Sequence, residues 1–287
     1  MNDKYSLSEL LIIVSAREIR DYTNVVLGVG LPMMAGAFAK NYHAKNVNLM
    51  MEAGLIGFKP LIPLRHIADT MACRGLDYAT DLFSMFTTHT YRGYVDLCFL
   101  GVGQVDKYGN LNTTVIGDYR NFERRLPGSG GACDFLSYSK KTVLTMNKGK
   151  FVEKLDYLTS PGYLSGWDSR EKSKRFLPGS GPTKLINTKG VFNFDEVTKE
   201  MYLAQIHPGI DVEDIKKDIP WDLKIADNLT TTKPPTAQEL ELIRKFNPSV
   251  SLGPDISRNL WIQNLMNILP EKGLKYLMDA FSANQTE

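Results

Sequence analysis

The stretch NVVLGVGLPMMAGAFA, residues 24–39, decides the fold. Asn24 to Val29 reads as a buried strand, an apolar run of strand length bounded by glycine. Gly28 and Gly30 then provide a turn. Pro32 stands where a helix begins, because its fixed φ and missing N–H cost nothing in a first turn. The helix is expected to run to about Tyr42. From Tyr22 to Ala39 there is no charge over 18 residues, near the roughly 20 apolar residues a membrane span requires. Thr23, Asn24, three glycines and Pro32 within it favour strand, turn and helix instead, so no membrane partner is expected.

Working outward, Ser6 to Arg20 has the helical period, with Leu7, Leu10, Leu11 and Val14 on one face. Ser6 and Glu9 have the spacing of a capping box. Downstream, Asn46 to Met51 reads as a second strand, with Glu52 just past its end. Val95–Val102, Thr142–Met146, Lys184–Ile186 and Met201–Ile206 supply further strands. Helical pieces lie between the early strands, which predicts an α/β fold with an open, mostly parallel sheet flanked by helices. Two long irregular stretches, 118–134 and Gly162 to Gly181, read as functional or surface loops; the second has a charged middle, Asp168 to Arg175. Residues 1–254 form the expected main domain. Residues 255–287 read as a C-terminal amphipathic extension, divided by Pro270 and Gly273 into two short helices.

The chain has 287 residues, with 34 Lys+Arg against 32 Asp+Glu, a net charge of +2. Neither nucleic acid nor an anionic membrane surface suits so balanced a chain. The N-terminus carries Asp3 and lacks the apolar core of a signal peptide. Cys73, Cys98 and Cys133 form no CxxC pair, which argues against a disulfide scaffold or zinc ribbon and for a reduced, cytoplasmic protein. The four histidines are scattered, so no metal site is expected.

Four segments offer chemistry. The turn at Gly28 and Gly30, with Glu52 22 residues after Gly30, approaches a dinucleotide fingerprint. Met33 replaces its third glycine, however, and Pro32 removes a backbone donor, so NAD is disfavoured. Glu52 itself, in MMEAGLIGFKP, sits at the carboxyl edge of the sheet, where α/β ligands bind. It would be ionised and able to act as a nucleophile. Gly54 and Gly57 beside it would allow a large substrate to approach. The plain alternative is an exposed turn glutamate. Leu100 to Tyr119 offers Gln104 and an Asn-Thr-Thr series as neutral donors to an oxyanion, or simply a hairpin with a glycine turn. Pro127 to Phe135 offers Gly128, Gly130 and Gly131 as a nest of N–H groups, or a surface turn. Cys133, with no histidine near it in sequence, reads as a small buried thiol.

Together these segments resemble family I of the CoA-transferases, in the B subunit of its glutaconate-type members. The motifs that carry the resemblance are GVGLP (28–32), MEAGL (51–55), GQVDKYGNLNTTVIGDY (103–119) and GSGGACD (128–134). DYLTSPGYLSG (156–166), KGVFNFDEVTKEMYLAQIHPG (189–209) and PPTAQELELIRKFNP (234–248) extend it to about Leu252. The resemblance implies that Glu52 attacks an acyl-CoA thioester and then carries CoA as a glutamyl thioester, passing it to an acceptor carboxylate. It implies GVGLP and GSGGA as oxyanion donors, with Gln104 as a further polar contact. CoA thioester would be a substrate, with no tightly bound cofactor. An A-type subunit would complete the active site. Ala53 stands where the glutaconate enzyme has serine, and the loop Phe58-Lys59-Pro60-Leu61 also differs, which leaves the acid open. An acyl-CoA hydrolase or ring-opening enzyme on the same scaffold, and a non-catalytic ligand-binding subunit, are the alternative functions.

Overall fold

The computed structural model describes residues 5–28, 30–60, 64, 67 and 69–246. Helix α1 spans Leu7–Ala16 and opens with the expected capping box, Ser6 and Glu9 each accepting the other's backbone N–H. Strand β1 is Asn24–Leu27, and helix α2, Leu31–Tyr42, follows with Pro32 in its first turn. The uncharged 22–39 stretch is therefore strand, turn and helix. Among the described residues no helix is long and apolar enough to cross a membrane.

Strand β2 is Asn48–Met50, and two short strands follow, β3 (Leu55–Ile56) and β4 (Tyr78–Ala79). Then come β5 (Leu97–Gly101), helix α3 (Ala132–Tyr138) and β6 (Lys141–Met146). Strands β7 (Pro182–Asn187), β8 (Gly190–Phe194), β9 (Met201–Ile206) and β10 (Lys224–Thr231) lead to helix α4, Ala237–Phe246. These ten strands form one sheet in the order β10-β9-β8-β7-β6-β5-β1-β2-β3-β4. The middle five, β7-β6-β5-β1-β2, are all parallel. The margins turn antiparallel at β2/β3 and β3/β4 on one side and at β7/β8 and β8/β9 on the other, before β9/β10 closes parallel.

The sheet is covered on both faces, and its residues alternate between two cores. Val25, Leu27 and Leu49 pack with α1 and α2; Val26, Met50, Cys98 and Leu100 point the other way, toward Phe135 of α3. Burial on both faces is why these strands read as unbroken apolar runs. The one-sided reading of α1 is corrected. Residues 9–16 are all buried while Leu7 is the exposed one, because α1 is enclosed by α2, α4 and the sheet. Two ion pairs lock α4 onto it, Arg17–Glu239 and Arg244–Glu9, both at 2.7 Å. The C-terminal extension expected at 255–287 lies outside the described residues.

Candidate active site

Strand order reverses between β1 and β5, since the chain builds outward from β1 toward β2 and then returns to β1's other side. A crevice at the carboxyl ends of the strands on either side of such a reversal is where α/β folds hold ligands. Here it is a cavity of about 690 Å³. The ends of β1, β5 and β6 form its floor, Glu52 enters from the end of β2, and the segment 126–130 forms a wall.

Glu52 stands in a three-residue hairpin loop, Glu52-Ala53-Gly54, between β2 and β3. The Met51 N–H donates to Leu55 O and the Gly54 N–H donates to Met51 O, both at 2.9 Å. A three-residue hairpin needs a left-handed residue at its third position, and Gly54 takes φ +91°. Its α-carbon abuts the Thr80 carbonyl, and that of Gly57 abuts the Asp77 carboxylate. The expectation that these two glycines admit substrate is thus corrected, since the chain's own β4 region occupies the space.

The glycine loop closes over this hairpin from 76 residues downstream in sequence. The Gly131 backbone N–H bears on the Glu52 carboxylate and favours its ionised form. A β-carbon at Gly130, where φ is +46°, would lie 3.6 and 3.7 Å from the two Glu52 carboxylate oxygens. Glycine at 130 therefore keeps the carboxylate uncovered. Burial raises the Glu52 pKa above the ordinary glutamate value. The Gly131 N–H opposes that shift, and the nearby charge of Asp134 adds to it.

What holds the loop in place is the Asn-Thr-Thr series that sequence reading offered as oxyanion donors. Thr113 Oγ1 donates to Gly128 O at 2.9 Å, and the Gly128 N–H donates to Thr113 O at 2.7 Å. The adjacent Leu126 N–H donates to Thr114 O at 2.9 Å. The hairpin reading of this segment is the right one, with Gln104–Val105 paired antiparallel to Leu111–Asn112. Gln104 is buried and does not line the cavity. Its amide donates to Asp156 at 2.7 Å and accepts from Asn112 at 2.7 Å, so it braces the hairpin from outside the cavity wall.

The first glycine turn also divides. Gly28 lines the cavity, but its N–H is donated to Phe99 O at 3.1 Å. Gly30 caps α2 and lies outside the cavity wall. Of the expected donors, then, only Gly130 and Gly131 come up to Glu52, since the Gly128 N–H is donated to Thr113 O. Cys133, in the first turn of α3, is half-buried; burial, with Asp134 adding, pushes its thiol up and away from a reactive thiolate. Among the described residues no group of three His, Cys, Asp or Glu side chains gathers as a metal site would require.

Two functional candidates escaped the sequence reading. Arg124 and Lys148 line the same cavity, and neither forms an ion pair among the described residues. Val26, Leu27, Leu31, Leu100, Leu126 and Phe135 make much of the remaining wall apolar. The cavity thus sets one half-buried carboxylate and two solvent-exposed cations, neither in an ion pair among the described residues, around a largely apolar wall. The only sequence signal for the cations was their place in or beside glycine-rich turns, Arg124 shortly before GSGG and Lys148 between Asn147 and Gly149.

A family model described as Coenzyme A transferase matches residues 10–218. The chain is 33% identical over 242 residues to the B subunit of 3-oxoadipate CoA-transferase from Pseudomonas knackmussii, covering 84% of this chain and 92% of that protein. It is 34% identical over 247 residues to the B subunit of glutaconate CoA-transferase from Acidaminococcus fermentans, with the same coverage of both. The solved structure of glutaconate coenzyme A-transferase from that organism superposes with a TM-score of 0.80 at 30% identity, over 88% of this chain and 98% of that one. A match over most of the chain, in sequence and in fold, leaves one conclusion: this chain belongs to the coenzyme A transferase family and is a B-type subunit within it.

Proposed function

We propose that the chain is the catalytic subunit of an enzyme that moves CoA between an acyl-CoA and a carboxylic acid, with Glu52 as the nucleophile. The observation that carries this reading is the Glu52 carboxylate itself, taken partly out of water in the cavity wall, with no ion pair among the described residues and only the Gly131 backbone N–H favouring its charge. A carboxylate neutralised by Arg or Lys is a poor nucleophile; one desolvated and only oriented keeps its electron pair available.

A glutamate oxygen adds to the thioester carbonyl carbon, the C–S bond breaks, and CoA leaves as thiolate with an acyl-glutamyl anhydride behind it. The thiolate then attacks the Glu52 carbonyl carbon, expelling the donor acid as its carboxylate and leaving a glutamyl-CoA thioester. The acceptor carboxylate reverses both steps and regenerates Glu52. No proton is gained or lost overall. Both anhydride and thioester are activated acyl groups, so one hard transfer becomes several easier ones. Each addition passes through an oxyanion, for which the Gly131 N–H is the best-placed donor. Because Glu52 carries both groups, the route needs no resident cofactor.

Two exposed cations on the cavity wall, neither in an ion pair among the described residues, point to an acid with a second carboxylate remote from the reacting one. Arg124 offers a planar fork that fits a carboxylate, and Lys148 a point charge. Glutaconate and 3-oxoadipate, the acids named for the two relatives, are both dicarboxylates. Those relatives also support an A-type partner subunit, with a hetero-oligomer as the working enzyme. The free thiols at Cys73, Cys98 and Cys133 suit a reducing, cytoplasmic compartment.

Oxygen labelling tests this route against hydrolysis. With the partner subunit present and an acceptor acid labelled with ¹⁸O in both carboxylate oxygens, turnover should leave one label on Glu52. If the label in Glu52 comes from H₂¹⁸O instead, the enzyme is a thioester hydrolase. If Glu52 stays unlabelled while CoA exchanges, it is not the carrier.

A further inference from the structure

The charged middle of the 162–181 stretch contains a buried cation that the proposed chemistry does not use. Arg170 lies on the short helix Ser169–Ser173 and is 2% exposed. Its Nη1 donates to Pro161 O at 2.9 Å and Gly162 O at 2.6 Å. Its Nη2 donates to Leu136 O at 2.8 Å, Ser137 O at 3.4 Å and Ser180 Oγ at 2.9 Å. The guanidinium carbon lies 4.0 Å from the centre of the Phe176 ring. Every hydrogen-bond acceptor is neutral, and no carboxylate among the described residues forms an ion pair with it. Burial pushes its pKa down to about 10, with Tyr163, Glu171 and Cys133 the titratable groups around it. A buried cation without an anion is usually less stable than an apolar side chain of similar volume, so its fork has to be judged by what it joins.

It joins the far end of α3 to the other side of the molecule. Leu136 and Ser137 are in the last turn of α3, whose opposite end is capped by Gly131. Pro161 and Gly162 belong to a turn that is itself pinned, the Gly162 N–H donating to Asn110 Oδ1 at 2.8 Å. Ser180 reinforces the clamp by donating to Ser137 O at 3.0 Å. A helix of seven residues is too short to hold its own position in water, and hydrogen bonds weaken steeply with misalignment. We infer that Arg170 is a positioning residue, whose guanidinium locks α3 against the 161–162 turn and so keeps the Gly130-Gly131 turn against the Glu52 carboxylate. This rests on the reading of Glu52 as nucleophile.

The groups that bear on Glu52 are Asp134 from α3, Cys98 from β5, and Arg124 and Lys148 in the cavity wall. Arg170 touches none of these directly by hydrogen bond, so its effect on Glu52 should travel through α3. Losing the Gly131 donor removes an interaction that favours ionised Glu52, which raises the pH at which the nucleophile is lost. The experiment compares pH profiles of kcat/KM for the hetero-oligomer exchanging CoA between acetyl-CoA and glutaconate. Arg170→Lys keeps the charge but not the fork, and should move the acid limb upward by about 0.5–1 pH unit. Ser180→Ala should move it less, in the same direction. Arg17→Met breaks an ion pair far from the cavity, and should lower Tm while leaving the limb in place.

A limb unmoved in folded Arg170→Lys makes Arg170 purely structural and overturns the inference. If that variant does not fold, Ser180→Ala decides alone by the same criterion. A wild-type enzyme that exchanges CoA without forming a Glu52 adduct overturns the Glu52 reading and this inference with it. An adduct together with unmoved limbs overturns this inference only.

Discussion

Glu52, half-buried, and Glu239, almost fully buried, are both carboxylates that lose water on folding, and the fold treats them in opposite ways. Burial alone would raise the pKa of each. At Glu239 it is outweighed by the Arg17 guanidinium at 2.7 Å and the Thr236 N–H, and the pKa falls below the usual glutamate value. At Glu52 only the Gly131 N–H opposes burial, Asp134 adds repulsion, and the pKa rises. The first carboxylate holds α4 against α1 and its charge stabilises the fold. The second is left unneutralised at a cost in stability, which is characteristic of a group retained for chemistry.

Substitution separates the two most sharply. Glu52→Gln should reduce CoA exchange by about 10⁴-fold or more, with Tm unchanged or raised, because the variant no longer holds a partly desolvated charge. A fall of several degrees in Tm would place Glu52 among the structural carboxylates. Glu239→Gln should do the reverse. Leaving Arg17 without its partner should cost about 1–3 kcal/mol in denaturant unfolding, while the exchange rate of the folded protein stays near wild type.

The cations of the cavity extend the comparison. Arg17 is committed to a carboxylate of its own chain, whereas Arg124 lines the cavity and forms no ion pair among the described residues. Arg124→Ala should raise KM for glutaconate by about tenfold and leave that for acetate unchanged. Equal effects on both acids would assign Arg124 to the CoA phosphates or to the surface.

The smallest effect is a difference in pH dependence. The stability contributed by Glu239 is present above the pKa of an unfolded glutamate and is lost as pH falls through its depressed folded value. The cost of Glu52 is greatest above its raised pKa and vanishes as it protonates. Denaturant titrations from neutral to acid should therefore show the Glu52→Gln difference closing at a higher pH than the Glu239→Gln difference. The acid limb of activity should follow Glu52 and lie above the ordinary glutamate range. The opposite order of closing would mean the two environments have been misread.

Much of this was legible in the sequence where the physics is local. The capping box at Ser6 and Glu9, Pro32 at a helix start, and the parallel core strands all follow from period and spacing. Glu52 after its strand was visible too, although its hairpin was missed because β3 is only two residues long. What the sequence did not show depends on distant segments meeting. A glutamine beside a glycine turn looks like a ligand contact until Asn112 and Asp156 are seen to hold its amide in the hairpin. Bare glycines look equivalent until Gly28 is found bonded to Phe99 and Gly130 found against the Glu52 carboxylate. Arg170 was one charge among several in an irregular stretch, and only the packing shows it buried.

The central claim is that Glu52 carries CoA covalently. The direct measurement is mass spectrometry of the hetero-oligomer after mixing with glutaconyl-CoA or acetyl-CoA under acid-quench conditions. The account predicts CoA attached to the peptide containing Glu52, absent in Glu52→Gln. CoA exchange without such an adduct, or an adduct that survives Glu52→Gln, would contradict it.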